Sequence, residues 1–155
     1  ERSEKNGHKP RFVIITGPAE VNKISVAKML EKSLFNANFN AYYLGISNII
    51  SGISSDLKNV EDREEHLRRL GEMAHIFTDA GLIFISTIPD LDDGEVAVIK
   101  SLSGIDDVLV VNKGASQFEK YPVDLFLEAD ASNEAAAKQI TTLLTQKEII
   151  PEYFL

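Results

Sequence analysis

The 155-residue chain has no cysteine, so it can form no disulfide, thiolate zinc site or redox motif, and a cytoplasmic setting is expected. No apolar run approaches the ~18 residues that cross a bilayer, so no membrane span is expected. Positive charge is scarce: 16 Lys and Arg stand against 24 Asp and Glu, for a net charge of −8. Nucleic acids and anionic membranes are recognised through clustered basic residues, so neither is expected as a partner. A small anionic ligand in a local basic pocket is compatible with that balance. The first eleven residues, ERSEKNGHKPR, lack an apolar h-region and read as a polar linker or tail, not a signal peptide. Glu1 at the start suggests a piece of a longer polypeptide. Internal repeats and low-complexity tracts are missing as well.

With 44% apolar residues, the remaining stretch 12–155 can bury one core, and a single domain is expected. Short, nearly continuous apolar runs occur at 12–16, 41–44, 82–86, 108–112 and 125–129. Strands covered by helices on both faces read this way. Between them, Val26, Ala27, Leu30 and Leu34, and then Leu67, Leu70, Ala74 and Phe77, recur at helical spacing. A third amphipathic run covers 133–144 behind Ser132 as a cap, and Gly81 follows the second as a stop. Strands alternating with helices predict an α/β fold, with a mostly parallel five-stranded sheet between two helical layers. Ligands of such sheets bind beyond the carboxyl ends of the strands, which directs attention to 17–25, 45–52, 87–94 and 113–120.

The first of these, GPAEVNKIS, lies between a strand and a helix, where a phosphate-binding loop G-x-x-x-x-G-K-[ST] would sit. Gly17 and Lys23 match that pattern. Asn22 takes the place of the second glycine and tolerates positive φ better than most residues. Ile24 replaces the magnesium-binding hydroxyl, and Ser25 comes one residue late, about 100° around the helix. Glu20 puts a carboxylate inside the loop, and a charge about 4 Å from a phosphate costs roughly 4 kcal/mol at an effective dielectric near 20. A helix-opening turn without a ligand is the preferred reading of this stretch.

Residues 60–87, VEDREEHLRRLGEMAHIFTDAGLIFIST, and 26–35, VAKMLEKSLF, resemble adenylylsulfate kinase, a P-loop kinase that phosphorylates the 3′-hydroxyl of adenosine 5′-phosphosulfate (APS) with ATP. The first stretch is close to the family block E-D-R-x-E-N-x-R-R…A-x-x-F-x-D-A-G-L. The resemblance implies a P-loop nucleoside-triphosphate-hydrolase-like fold for most of the chain. It makes Gly17, Asn22, Lys23 and Ser25 vestigial nucleotide-binding positions. Asn48, Arg63, His66 and Arg69 fall where the family binds APS, with His66 replacing an Asn. The departures are systematic. Of the family's D-G-D-N-x-R only Asn48 survives, in GISNII, and I-S-P-x-x-x-D-R becomes TIPDLDDGEV, which keeps Pro89 and loses the Arg. In place of a long basic lid stands KGASQFEKYPVD.

Phosphoryl transfer needs a metal, a cationic clamp and closure against water, and this chain departs from the family at each. The expectation is a catalytically silent relative, with no catalytic residue, metal or cofactor of its own. It would serve as a structural or regulatory module beside a protein partner or a fused ATP sulfurylase, with weak APS or PAPS binding as its residual activity. The alternative is an active kinase using ATP and magnesium. Other classes fit less well. Asn112-Lys113 matches the start of the guanine-reading N-K-x-D motif, but Ala115 stands where Asp belongs, and the dipeptide reads as loop. His8, His66 and His75 lack metal-ligand spacing, and the acidic DLDDG at 90–94 reads as a solvated turn. Arg63 has a bland role open to it, pairing with a nearby carboxylate. Arg68 is expected on the opposite, solvated face.

Overall fold

A computed structural model describes residues 8–45, 60–104 and 108–151, with side chains of the long second helix described from Arg63 onward. Its elements in chain order are β1 (Arg11–Gly17), α1 (Ile24–Asn36), β2 (Ala41–Tyr43), α2 (Val60–Asp79), β3 (Ile83–Pro89), α3 (Asp93–Ser103), β4 (Leu109–Lys113), β5 (Leu125–Leu127) and α4 (Asn133–Gln146). The five strands form one sheet in the order β2-β3-β1-β4-β5, and every pairing is parallel. This is the α/β/α architecture expected from the alternation of apolar runs and helical patterns.

Alternation along β1 explains the two layers. Val13 and Ile15 point to one face and join Val26, Ala27, Leu30 and Leu34 of α1 and Ala136, Ile140 and Leu144 of α4. Phe12 and Ile14 point to the other and join Leu67, Leu70 and Ala74 of α2 with Val96 and Ile99 of α3. Burying each such Leu, Ile or Phe contributes about 1.5–3 kcal/mol. Phe77 continues the α2 stripe by stacking on Phe84, centroids 4.9 Å apart. The stop and cap take the expected forms: Gly81 has φ +93°, and Ser132 Oγ accepts the Ala135 N–H.

One helix, α3, does not stand out by apolar periodicity, because its first turn is the acidic run Asp92-Asp93-Gly94-Glu95. Those acids make the helix start. Asp92 accepts the Glu95 N–H while the Glu95 carboxylate accepts the Asp92 N–H, forming a capping box. Gly104 ends the helix at φ +66°. The D-x-x-E spacing ahead of Val96 and Ile99 is the sequence signal for this helix.

The polar lead-in enters the fold at His8. Its ring is buried, Nε2 accepts the Asn40 N–H at 2.9 Å, and the edge meets Phe39 with centroids 5.7 Å apart. Nδ1 therefore carries the proton and donates to Lys9 O at 3.1 Å, while Lys9 N–H donates to Ile149 O. Burial pushes the imidazole pKa below its ordinary 6.5. A neutral ring is what the fold uses, so its contribution is present above about pH 6.5 and is lost as pH falls through the lowered folded-state value. Urea denaturation at pH 8 and pH 5 is expected to show stability falling toward acid. His8→Ala is expected to cost about 1–2 kcal/mol at pH 8 and to remove part of that slope; an unchanged slope would put the acid sensitivity elsewhere.

Candidate functional site

The carboxyl edge of the sheet is built around Gly17. Its φ is +145°, and a Cβ placed there would lie 2.1 Å from the Lys113 carbonyl oxygen on the neighbouring strand. Glycine is required because β1 and β4 touch backbone to backbone at this point. Beyond it the chain turns at Pro18-Ala19-Glu20, with Val21 N–H donating to Pro18 O at 3.1 Å. Asn22 Oδ1 then accepts the Ser25 N–H at 3.2 Å and caps the first turn of α1.

Lys23 does not reach outward. Only 6% exposed, it folds back so that Nζ donates to Pro18 O at 2.7 Å and to Val21 O at 3.1 Å. Burial lowers its pKa, opposed by the negative charges of Asp90 and Glu20 and assisted by the positive charge of Lys113. Asp90 precedes Glu20 in this order, and Asp90 is a group that reading along the loop alone does not find. It arrives from the end of β3, where Asp90 N–H donates to Gly17 O and Leu91 N–H donates to Thr16 Oγ1. These two bonds tie the ends of the paired strands β1 and β3 together. Ile24 is 42% exposed and Ser25 half-buried.

Arg63 comes to the same edge from α2. Its Nε donates to Glu95 Oε2 at 2.7 Å, and its Nη2 to Glu95 Oε1 at 3.2 Å and to Pro89 O at 2.7 Å. Pro89 is the register partner of Gly17, so the guanidinium lies one strand from the turn. All of these bonds are internal, the carboxylate pairing that the residue type permits. Arg63→Leu should cost about 1–2 kcal/mol in urea denaturation, because both side chains are about a quarter exposed (24% and 21%) and solvent screens the pair. A loss below about 0.5 kcal/mol would show that this link between α2 and α3 contributes little.

His66, on the same helix, is buried at 4% exposure. Arg69 lies on another face, 45% exposed, with its Nε 3.6 Å from Glu65 one turn earlier. Arg68 is solvated, as expected, about 140° around α2 from Arg63, and both border one groove beside α3. A groove of about 440 Å³ runs there, with Arg63 and Arg68 opposed by Glu64, Asp92 and Glu95 over Leu67 and Val98. Two cations against three carboxylates do not make a polyanion site. Asn48 lies outside the described residues.

The stretch between β4 and β5 is short and pinned. The Asp93 carboxylate accepts N–H bonds from Glu119, Lys120 and Tyr121, and these bonds, Lys120 foremost, hold its pKa below the usual range. The Phe118 and Tyr121 rings lie 5.5 Å apart and pack on the core. Thus the acidic DLDDG does local work, Asp92 as a cap and Asp93 as a loop anchor. No group of three His, Asp or Glu among the described residues could hold a metal ion. Asn112 and Lys113 are both spent inward: Asn112 Nδ2 donates to Gly114 O and Ala115 O, and Lys113 Nζ to Ala129 O.

Comparison with known proteins places this geometry in a lineage. The family model for adenylylsulphate kinase matches residues 9–93, more than half of the chain. The adenylyl-sulfate kinase of Buchnera aphidicola is 42% identical over 89 residues, 57% of this chain and 42% of that protein. The bifunctional enzyme CysN/CysC of Rhodopirellula baltica is 33% identical over 137 residues, 88% of this chain and 20% of its own length. The chain therefore spans less than half the length of these curated relatives. Among solved structures, the APS kinase CysC of Mycobacterium tuberculosis superposes with a TM-score of 0.72 at 28% identity, covering 88% of this chain and 98% of that one. From the glycine turn at Gly17 to the Asp-Arg helix and its Asp-Ala-Gly-Leu ending, the chain belongs to the adenylylsulphate kinase family.

Proposed function

We propose that this domain is an APS-kinase-like module that no longer transfers phosphate and serves a structural or regulatory role in a sulfate-activating protein. The observation that carries the reading is the closed loop. Phosphate loops work by aiming free backbone N–H groups and a lysine ammonium at the anion. Here the ammonium of Lys23 rests on two carbonyls of its own turn, and the Ser25 N–H is taken by Asn22. Opening the turn for Mg·ATP would cost these bonds and bring Asp90 and Glu20 against the phosphates. Ile24 offers the metal no oxygen. The residues of the turn thus do not fit the ATP and magnesium that the family's reaction uses.

Relatedness to a bifunctional CysN/CysC enzyme supports a place beside an ATP sulfurylase, fused or associated, and a chain without cysteine fits a cytoplasmic setting. No described helix is long and apolar enough to cross a membrane, and protein partners are favoured over nucleic acid by the net charge of −8.

A coupled assay with ATP, magnesium and APS tests this reading, together with calorimetry using Mg·ATP, APS and PAPS in turn. Flat titrations at millimolar ligand and no product above background are expected. Turnover of about 1 per second or more would overturn it. Family membership favours the second reading, an active kinase in which Lys23 swings onto phosphate and Arg63 leaves Glu95 for substrate. Heat with APS or PAPS and no turnover would instead identify a sensor.

A further inference from the structure

The two helical layers carry opposite charge. Helices α1 and α4, on one face of the sheet, hold three lysines against two glutamates, a balance of +1. Helices α2 and α3, on the other face, hold four basic residues against eight acidic ones, a balance of −4 with His neutral. A positive layer runs against the trend of a chain carrying −8 overall. On α1, Ile24, Lys28, Lys32 and Phe35 fall within about 80° of arc on the side turned from the core. All four are exposed, Phe35 at 71%. Among the described residues neither Lys28 nor Lys32 makes an ion pair, and the single acid of this helix, Glu31, is engaged by the Tyr43 N–H.

The outer side of α2 is the counterpart. Glu65, Arg69, Glu72 and Ile76 share about 60° of its arc. Arg69 is matched by Glu65, whereas Glu72 makes no ion pair among the described residues and stands one turn before Ile76, which is 63% exposed. Two ammonium groups beside an exposed aromatic ring on α1 thus meet their complement on α2, a carboxylate beside an exposed branched aliphatic group. Exposed ion pairs contribute little, so burial of Phe35 and Ile76 supplies most of the affinity and the charges select the partner. Because the two ridges lie on opposite faces of the sheet, a molecule gives one and receives the other, and the contact is heterologous. Helix α1, with 13 residues, is about 20 Å long. A contact of that length is at the small end for specific interfaces, which sets the association in the high micromolar range.

We propose that the outer face of α1 docks on the outer face of α2 in a second copy of this chain, so that copies add head to tail. The contact goes beyond the proposed function and stands whether or not the turn at Gly17 takes nucleotide. Sedimentation velocity of the whole chain, from about 10 μM to about 1 mM, tests it. At low chloride the weight-average mass is expected to rise with concentration past that of two chains, and at about 0.5 M chloride the association should be at least about threefold weaker. Lys32→Gln with Phe35→Ser removes one face, and Glu72→Gln with Ile76→Ser removes the other. Each double variant alone should associate at least about tenfold more weakly than the parent chain, and a folded state is expected for both because all four side chains are exposed. Mixed in equal amounts, the two should form a heterodimer and stop there, since the mixture keeps one intact face of each kind. Phe126→Ser, at an exposed aromatic of the β5 edge, should leave the growth within about twofold of the parent. A single mass at every concentration, growth that ends at a dimer of the parent chain, growth indifferent to chloride, a mixture that stays monomeric, or growth lost with Phe126→Ser would each overturn the contact.

Discussion

Gly17→Ala is expected to destabilise the protein by about 3–5 kcal/mol, or to prevent folding altogether. Two costs combine. The backbone at φ +145° is one that a residue with a Cβ rarely adopts, and the methyl group would lie 2.1 Å from a main-chain oxygen of Lys113. That oxygen belongs to a buried strand and cannot swing aside as a flexible side chain would. Relief requires β1 and β4 to part where Thr16 pairs with Asn112. Urea denaturation against the parent chain measures the effect. A loss under about 1 kcal/mol would show that the turn has room that the backbone geometry denies. The test concerns architecture alone, so its outcome holds whichever functional reading survives.

Reopening the turn is the second large effect. Glu20→Gly, Asn22→Gly and Ile24→Ser together are expected to tighten Mg·ATP binding about 100-fold, with a further gain on adding Asp90→Asn. Removing a carboxylate about 4 Å from a phosphate is worth up to roughly 4 kcal/mol at an effective dielectric near 20, and solvent around the exposed Glu20 reduces that figure. Glycine at 22 releases the Ser25 N–H that Asn22 now occupies, and serine at 24 supplies the missing oxygen. Asp90 is included because its charge acts on Lys23 ahead of that of Glu20. Asparagine there keeps a residue type that tolerates the φ of +52°. Calorimetry on each variant reads the gain. Folded variants with no measurable heat would mean that the obstacle is the path of the backbone and not the side chains that line it.

Much of the scaffold was legible residue by residue. Val26, Ala27, Leu30 and Leu34 all reach zero exposure on α1, as their spacing predicts, because helical periodicity depends only on neighbours in the chain. The five strands lie where the apolar runs are, with ends shifted by no more than three residues. The helix α3 was harder to read, since its amphipathic signal is short and its acidic opening resembles an exposed turn. Its capping box was nonetheless written in Asp92 and Glu95.

The candidate site was less legible, and for a different reason. Glu20, Asn22 and Ile24 could be recognised as wrong for a phosphate loop from their types alone. Where Lys23 and Arg63 point could not, because a long cationic side chain goes to whichever acceptors the fold brings within reach. For Lys23 these are the carbonyls of Pro18 and Val21, and for Arg63 they are Glu95 and Pro89.

By itself, the sequence determined the layer order, the glycine turn and membership of a kinase lineage, since these rest on patterns within short windows. Tertiary structure alone decided that the charge of Asp90 acts on Lys23 and that Arg63 reaches Glu95 and Pro89. Those meetings depend on strand order and register, which join residues far apart in the chain through many weak contacts that no short window contains.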